Sequence, residues 1–310
     1  NLNFYNVDIT NFKMVNDVIR TLKPDFIFHL AAQPLVSVSY EDPLETIKTN
    51  VVGTTNILEG IRNLNKPCVA VIITSDKCYD NIEWEWGYKE TDYLGGKDIY
   101  SGSKGAAELI VKSYFHSFFN NKKSNLKVAT ARAGNVIGGG DWAKNRIVPD
   151  CMRSWNNNTS VKIRSPQSTR PWQHVLEPLS GYLNLGLELY KNIHLNGESF
   201  NFGPDSKNSF TVEHVLKSLM QTWNLDDPSK FYKIIDNNFF HEAGLLKLNC
   251  DKALYHLKWL PVLNFNKVIE FTGHWYVEYY KKSKNMFDYT TNQLKQYESH
   301  AKEKNIKWSN

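Results

Sequence analysis

What this chain of 310 residues lacks excludes several classes of protein. No CxxC pair occurs, which argues against a zinc site and a disulfide framework and favours a reducing, cytoplasmic environment. No apolar run approaches the roughly 20 residues that a membrane-spanning helix needs, since the longest, over residues 68–74, has the length of a strand. The four cysteines are scattered: Cys68, Cys78, Cys151 and Cys250.

A strong charge of one sign is also absent. Lysine and arginine total 37 against 32 aspartates and glutamates, so the formal net charge is +5. Residues 281–310 alone hold seven lysines and three acidic residues, which leaves the rest of the chain almost neutral. This balance argues against a duplex nucleic acid as partner. We interpret the lysine-rich stretch as a solvated helix or a frayed end.

Strands and helices alternate in the first half of the chain. The apolar pattern predicts a strand over residues 4–9, a helix over 11–22 and a strand over 25–30, which together make one βαβ unit. A helix over 44–64 follows. The unbroken apolar run 69–73 is typical of a strand buried on both faces of a parallel sheet.

The alternation continues with a helix over 103–119 and a strand over 127–131, and it weakens after about residue 138. We therefore predict a Rossmann-like, doubly wound α/β sheet with a smaller mixed α/β lobe. The predicted domains are residues 1–137 plus about 172–195 for the sheet, and 138–171 plus 196–310 for the lobe. The later predicted elements are strands 161–164 and 199–202 and helices 176–190, 212–222 and 265–282.

Small and polar residues follow three of the predicted strands. Open parallel sheets bind ligands beyond the carboxyl ends of their strands, so these positions are the first candidates for a site. The three segments are Ala31-Ala32-Gln33, Thr74-Ser75-Asp76-Lys77 and Arg132-Ala133-Gly134-Asn135.

Tyr100 and Lys104 form a YxxxK element at the start of a predicted helix, where a spacing of four places them one turn apart on one face. A lysine beside a phenol favours the phenolate and so makes tyrosine a usable base. The spacing alone is not specific, because two other tyrosines match it. Only Tyr100 opens a helix of small residues and follows, by 25 residues, the strand that ends at Ser75-Asp76. We predict that Tyr100 and Lys104 are catalytic.

Five motifs in this order resemble the extended short-chain dehydrogenase/reductase family, and within it the nucleotide-sugar 4,6-dehydratases. The resemblance covers essentially the whole chain. The motifs are His29-Leu30-Ala31-Ala32-Gln33, Asn50-Val51-Val52-Gly53-Thr54, Tyr100 to Lys104, Arg132 to Gly138 and Arg170 to Val175.

The trio Ser75-Asp76-Lys77 narrows the resemblance. Epimerases of the family usually have small residues after the serine, whereas dehydratases have an acid there, and most have a glutamate next. The lysine at this last position is similar to the members that act on CDP-glucose. The segments 78–81 and 84–87 are similar to the same members.

The resemblance implies an internal redox elimination with bound NAD. Hydride leaves C4 of the glucose for NAD+, water is lost across C5 and C6, and hydride returns to C6. Tyr100 would take the proton of the 4-hydroxyl, Lys104 would support Tyr100 and hold the nicotinamide ribose, and Ser75 would position the same hydroxyl.

Elimination of water also needs an acid and a base. Asp76 would protonate the departing 6-hydroxyl, which requires burial of its carboxyl group; an ordinary turn aspartate is the alternative. Lys77 replaces the usual glutamate, and its role as base at C5, which requires the neutral amine, is a hypothesis.

The resemblance assigns further residues to binding. Ala31, Ala32, Gln33 and Asn50 would line the cofactor channel. Asp8 is similar to the family's adenine-contacting aspartate, although a plain N-cap of the following helix is the alternative.

Arg170 would bind the substrate diphosphate bidentately, and Asn135 would donate an amide hydrogen bond to the substrate. No metal is required. The helix over 103–119 is apolar on more than one face, and the resemblance implies a homodimer through a helix bundle. It also implies a role in deoxysugar supply for lipopolysaccharide O-antigen.

A Gly-rich strand-to-helix turn for a dinucleotide pyrophosphate is missing. The run Gly138-Gly139-Gly140 continues into Asp141-Trp142 instead of a helix of small residues. By family order, the turn and the first two strands would precede Asn1, so we expect an N-terminally truncated sequence. Three rival hypotheses stay open: another nucleotide-sugar dehydratase, a nucleotide-sugar 4-epimerase, and a non-catalytic or ligand-binding fragment.

Overall fold

The computed structural model describes residues 2–121, 125–205, 209–235 and 243–309. The Cα positions group into two compact units. The first unit comprises Asn1–Asn81, Glu90–Ala133 and Tyr182–Asn201, and the second comprises Ile82–Lys89, Gly134–Gly181 and Phe202–Asn310. The domain boundaries expected from the sequence stay a prediction; the compact units differ from them at residues 82–89 and 172–181, among others.

The elements alternate as expected through the first half. Up to residue 133 they are α1 Phe12–Leu22, β1 Phe26–His29, α2 Val36–Glu41, α3 Pro43–Ile47, α4 Thr54–Arg62, β2 Cys68–Ile73, α5 Ile99–Tyr114 and β3 Leu126–Ala133. From residue 134 they are β4 Val136–Ile137, α6 Ile147–Asn156, β5 Val161–Ile163, β6 Thr169–Arg170, β7 Gln173–His174, α7 Leu176–Lys191, β8 Ser199–Phe202, β9 Phe210–Thr211, α8 Val212–Thr222, α9 Pro228–Phe231, β10 Tyr232–Ile234, α10 Asp251–Leu257, α11 Phe265–Lys281 and α12 Met286–Glu303.

The main sheet has the strand order β1-β2-β3-β8. β1 pairs with β2 in parallel, with Phe26 opposite Val69, and β2 pairs with β3 in parallel, with Cys68 opposite Leu126. The carboxyl ends of these strands therefore lie at one edge of the sheet, where parallel α/β proteins bind ligands. The predicted Rossmann-like fold is confirmed.

The core of the first unit is apolar on both sides of β2, as its unbroken apolar sequence indicated. Five of the six β2 residues are buried. Apolar residues of α1, α4, α5 and β3 complete this core: Val15, Ile19, Leu58, Ile61, Val111 and Val128.

The strand predicted over residues 4–9 is wrong. The described residues 2–8 form no regular element, and the side chain of Phe4 is 97% exposed. A strand needs a partner for its backbone hydrogen bonds. Among the described residues, β1 pairs only with β2, so no strand is available between the 4–9 segment and the sheet.

The helix predicted over residues 44–64 is divided. α3 begins at Pro43, with Asp42 as its N-cap, and a π-helical turn, Lys48–Gly53, separates it from α4. A π-helical turn adds one residue to the helical repeat, which a pattern of apolar residues does not reveal. The turn carries Asn50, whose side chain has a function in the site described below.

The lysine-rich stretch is not frayed. It forms α12, and the side chains of Tyr297, Ala301 and Ile306 are buried in the core of the second unit. Its lysines lie on the other faces, as expected of a half-solvated helix. None of the helices in the described part of the chain is long and apolar enough to cross a membrane.

The second unit is built around α6, α8 and α11. Their apolar faces meet in one core, to which β5 and α12 contribute. Its aromatic members include Trp155, Trp172, Phe265, Phe271, Trp275, Tyr276 and Tyr297.

The buried carboxylate of Glu177 organises the junction of three elements in this unit. It accepts hydrogen bonds from the backbone N–H of Val262 at 2.9 Å, from the N–H of Leu263 at 2.6 Å and from the Tyr297 hydroxyl at 2.9 Å. Burial raises the pKa of Glu177 to about 7, against the opposing effect of these donors. α7 is thereby tied to α12 and to the segment before α11.

We expect Glu177 to make the stability depend on pH. Between about pH 4.5, near the pKa of an unfolded glutamate, and about pH 7, only the folded state keeps the proton, so stability falls by about 3 kcal/mol as the pH rises. Urea unfolding at pH 5 and pH 8 should show this loss as a difference: the stability of the wild type minus that of Glu177→Gln should fall by about 3 kcal/mol, because the buried His29 and His174, with pKa values of about 4, shift the stability of both proteins alike in the opposite direction.

Glu188→Gln on the same helix is the matched control, since Glu188 pairs with Lys191 in a salt bridge that is partly solvent-exposed. It should keep the pH dependence of the wild type. Equal pH dependence in wild type and Glu177→Gln would contradict the prediction.

Candidate active site

α5 presents Tyr100 and Lys104 from its first two turns. Asp98 is the N-cap, because its carboxylate accepts hydrogen bonds from the Ser101 N–H at 2.9 Å and the Ser101 hydroxyl at 2.7 Å. This cap fixes the first turn, in which Tyr100 lies. Tyr100 and Lys104 are both buried, with 7% and 5% of their surface exposed. The expectation that Tyr100 and Lys104 lie at a helix start is confirmed. The helix expected to begin at residue 103 begins four residues earlier, at Ile99.

Burial makes the charge of Lys104 easy to remove. It lowers the pKa of Lys104 to about 8, and the nearby Cys78 and Glu108 oppose that fall. Near neutral pH, Lys104 is therefore an ammonium ion that releases its proton more readily than a surface lysine. An ammonium one turn from a phenol favours the phenolate, which is the chemistry expected of a YxxxK pair.

Lys104 also lies near the end of β1. Burial, and secondarily the charge of Lys104, lower the pKa of His29 to about 4, so His29 is neutral at physiological pH. Its Nε2 lies 3.2 Å from the Thr54 hydroxyl. Since Ala31 and Ala32 follow His29 by two and three residues, they come near the same end of the sheet as Lys104.

The segment after β2 brings a hydroxyl and a carboxylate together. The Ser75 hydroxyl donates to Oδ1 of Asp76 at 3.0 Å and accepts a hydrogen bond from the Lys77 N–H at 3.2 Å. Ser75 is thus the N-cap of a one-turn 3-10 helix, Asp76–Cys78. Ser75 and Asp76 are buried, whereas Lys77 is half-buried. Asp76 therefore meets the burial that its expected role as an acid requires.

Tyr182 shows that the two halves of the site converge. This tyrosine of α7 is buried, and its pKa is raised by burial and then by the charges of Asp76 and Tyr100. The segment after β2 also packs against α5, where a β carbon at Gly105 would stand 3.3 Å from the Cys78 carbonyl. Sequence reasoning missed Tyr182, because a tyrosine in an amphipathic helix about 80 residues downstream gives no signal other than that of a core residue.

Asn50 holds the loop after β1. Its Oδ1 accepts from the Gln33 N–H at 2.8 Å, and its Nδ2 donates to the Gln33 carbonyl at 3.1 Å and to the Ser103 hydroxyl at 2.9 Å. The buried Asn50 side chain thus joins the loop after β1 to α5. The Gln33 side chain is itself bonded to Thr46 at 2.8 Å and to the backbone of Leu35.

Asp8 lies in the turn before α1 and is exposed. Its Oδ1 accepts from the Thr10 N–H at 2.8 Å, and this bond lowers the pKa of Asp8. The N-cap of α1 is Asn11, which accepts from the Met14 N–H, so the alternative that Asp8 is the N-cap is wrong. Its adenine contact stays a prediction.

Asn135 and Arg170 belong to the second unit. Asn135 follows β3 with a φ of 21°, and its carbonyl accepts from the Gln173 N–H at 3.2 Å. Arg170 lies in β6, is nearly buried and donates from Nη1 to the Thr169 carbonyl at 2.8 Å. Their expected contacts with the substrate stay predictions.

The chain is similar to known proteins over most of its length. The model of the GDP-mannose 4,6 dehydratase family matches residues 1–272. The chain belongs to this family. A CDP-glucose 4,6-dehydratase from Salmonella typhimurium is 48% identical over 257 residues, which are 82% of this chain and 71% of that protein. The resemblance drawn from the sequence motifs is confirmed.

Solved structures of more distant proteins share the fold. A dTDP-glucose 4,6-dehydratase from Streptomyces venezuelae, solved with NAD bound, has a TM-score of 0.76 at 20% identity and covers 88% of this chain and 78% of that one. A UDP-glucose 4-epimerase from Thermotoga maritima has a TM-score of 0.75 at 21% identity, with coverages of 90% and 84%. Both agree with the Rossmann-like fold.

We expect Asn50→Ala to destabilise the first unit by about 3 kcal/mol, because it removes three side-chain hydrogen bonds: those to the N–H and the carbonyl of Gln33, and the one donated to the Ser103 hydroxyl. Urea unfolding measures the loss. Asn56→Ala is the matched control, since the Asn56 side chain makes one hydrogen bond, to the Ile9 carbonyl at 2.9 Å, and should cost about 1 kcal/mol. Equal losses would contradict the role of Asn50.

Proposed function

We propose that this chain is a nucleotide-sugar 4,6-dehydratase that converts CDP-glucose to CDP-4-dehydro-6-deoxy-glucose. One observation carries the proposal: the buried Tyr100 and Lys104 lie at the start of α5, and the segment that holds the buried Ser75 and Asp76 packs against the same helix, where a β carbon at Gly105 would stand 3.3 Å from the Cys78 carbonyl. The 48% identity to a CDP-glucose 4,6-dehydratase supports the choice of substrate. The acid after the serine favours a dehydratase over an epimerase.

NAD+ is the proposed cofactor. The residues present fit its nicotinamide half, because a buried ammonium can hold the ribose hydroxyls and the small side chains of Ala31 and Ala32 permit close approach of a ring. The 310 residues contain no Gly-rich turn for the pyrophosphate. NAD+ supplies hydride acceptance at C4 and hydride return at C6, so that no net oxidation occurs.

Tyr100, Lys104 and Ser75 act on the 4-hydroxyl. The phenolate of Tyr100 takes its proton, the ammonium of Lys104 stabilises that phenolate, and the Ser75 hydroxyl orients the same oxygen. The 4-keto group that results withdraws electrons from C5 and makes the C5 proton acidic.

Asp76 and Lys77 then act on the two carbons that lose water. Asp76 is the proposed acid that protonates the departing 6-hydroxyl, and its burial is the observation that supports this role. Lys77 is adjacent in the same 3-10 turn and is the proposed base at C5. Asn135 and Arg170 are the proposed contacts for the rest of the nucleotide sugar.

A single assay with CDP-glucose and NAD+ tests these roles. We expect the wild type to form a product lighter by one water, and Tyr100→Phe to lose about 10³-fold in rate, because a positioned base contributes on that order. Lys77→Met should keep oxidation at C4 and lose the elimination. Mass spectrometry of the products, with deuterium at C4 of the substrate, separates the steps.

Lys97→Met is the control, since Lys97 is exposed on the loop before α5. Formation of the C4 epimer would identify an epimerase, and failure to bind NAD+ in a titration would favour the fragment hypothesis. Full activity of Lys77→Met would remove Lys77 from the mechanism.

We also propose that the chain forms a homodimer through α5 and α7. α7 carries an apolar stripe at helical spacing that lies exposed: Leu179, Leu183, Leu187 and Tyr190. Leu109 of α5 is exposed as well. Apolar patches of this kind mark interaction surfaces, and a second copy would bury them.

Sedimentation velocity tests the dimer. We expect the mass of two chains for the wild type and of one chain for Leu183→Glu, because Leu183 is the most exposed leucine of the stripe, at 63%. Leu254→Glu is the control, since Leu254 of α10 is exposed outside the stripe. A monomeric wild type would rule the dimer out.

A further inference from the structure

Glu108 is a buried acid that the mechanism above does not use. Tyr100, Lys104 and Glu108 follow one another at intervals of four in α5, so they lie on one face of the helix. All three are buried, and Glu108 is only 3% exposed. A carboxylate is rarely buried to this extent unless it is paired and fully hydrogen-bonded.

The carboxylate of Glu108 is bonded to the ends of three strands. Oε1 accepts from the Thr74 hydroxyl at 2.5 Å, directly after β2. Oε2 accepts from the Thr130 hydroxyl at 2.8 Å and from Arg132 Nη2 at 2.7 Å, both in β3, and from the Ser199 hydroxyl at 3.2 Å in β8. One side chain therefore fastens α5 to β2, β3 and β8.

Arg132 balances this charge and is held on its other side. Nη1 donates to the Tyr79 hydroxyl at 2.9 Å, and that hydroxyl donates to Oδ1 of Asn201 at 2.7 Å. The side chains of Arg132 and Glu108 are 3% and 2% exposed. Burial raises the pKa of Glu108, but Arg132 and the two threonine hydroxyls outweigh it, so Glu108 remains a carboxylate.

This network touches both halves of the site. Thr74 immediately precedes Ser75, and Glu108 follows Lys104 by one turn. The charge of Glu108 opposes the effect of burial on the pKa of Lys104. Other titratable groups near Lys104 are His29, Cys78 and, one helical turn before it, Tyr100. Glu108 thus influences the positions of Ser75 and Lys104 and the charge of Lys104.

We propose that Glu108 is a positioning residue for the reaction: it joins the helix of Tyr100 and Lys104 to the segment of Ser75 and Asp76, and it keeps Lys104 protonated in a buried environment. The reaction in this statement rests on the proposed function above. The charge state of Lys104 does not, because it is a property of the chain alone.

The charge of Lys104 can be followed without turnover. In protein labelled with ¹³C-lysine, the ε-carbon NMR signal that disappears in Lys104→Met reports its titration. We expect a midpoint near pH 8 in the wild type. In Glu108→Gln the midpoint should fall by about one unit or more, because the carboxylate is lost and Arg132 is uncompensated.

The double variant Glu108→Gln/Arg132→Met also removes the uncompensated charge of Arg132, so the Lys104 midpoint should lie between those of Glu108→Gln and the wild type. Glu59→Gln is the matched control, since Glu59 pairs with Arg62 at the surface of α4. It should leave the midpoint unchanged. An unchanged midpoint in Glu108→Gln would overturn the electrostatic half of the proposal.

Turnover tests the positioning half. The alkaline limb of the kcat profile, where Lys104 loses its proton, should move to lower pH in Glu108→Gln and part of the way back in the double variant. A structural role alone would lower stability and leave that limb in place. A wild type that does not dehydrate CDP-glucose would refute the proposed function, and the NMR titration would still decide the effect on Lys104.

Two conservative variants test whether Glu108 positions the segment after β2, even if Glu108→Gln does not fold. Thr74→Val and Thr130→Val each remove one hydroxyl bond to Glu108, yet only Thr74 adjoins Ser75. We expect Thr74→Val to lower kcat about 10-fold more than Thr130→Val at similar stability, with the KM for substrate little changed. Equal kcat values would overturn this role.

Discussion

The burial of the Lys104 ammonium is the constraint around which the first unit is arranged. Leaving water disfavours the charge, and its pKa of about 8 reflects that cost. The unit offsets the cost with a carboxylate one turn away, which is itself compensated by Arg132 and by hydroxyls from β2, β3 and β8. Because buried charges are expensive when a partner is missing, these groups depend on one another.

The two units use buried acids differently. Glu108 is paired with an arginine and stays ionised, whereas Glu177 meets only neutral donors at hydrogen-bond distance, with Lys304 as a weaker influence, and its pKa rises to about 7. The pairing with Arg132 keeps a negative charge on Glu108, one helical turn from Lys104. Glu177 ties together α7, α12 and the segment before α11 in a manner that depends on pH. The pKa values of the two acids differ because Glu108 has a buried arginine as its partner and Glu177 does not.

Sequence patterns were reliable where the residues of an element by themselves determine its structure. α8 has the bounds that its sequence predicted, and β2 was recognisable from an unbroken apolar run. They failed where the structure of a segment depends on contacts with another part of the chain. The segment over residues 4–9 has the composition of a strand but pairs with no described strand. The interruption of the helix at Lys48–Gly53 arises from a π-helical turn, which no periodicity announces.

The sequence by itself determined the class of fold, the family and the candidate groups Ser75, Asp76, Tyr100 and Lys104, because these depend on local spacing and on strand ends. Only the tertiary structure decided that Tyr182 lies near Asp76 and Tyr100, and that Glu108 is bonded to β2, β3 and β8. The reason is physical: burial and charge interactions act between residues that are 20 to 120 positions apart, and neither leaves a mark in the spacing of a single segment.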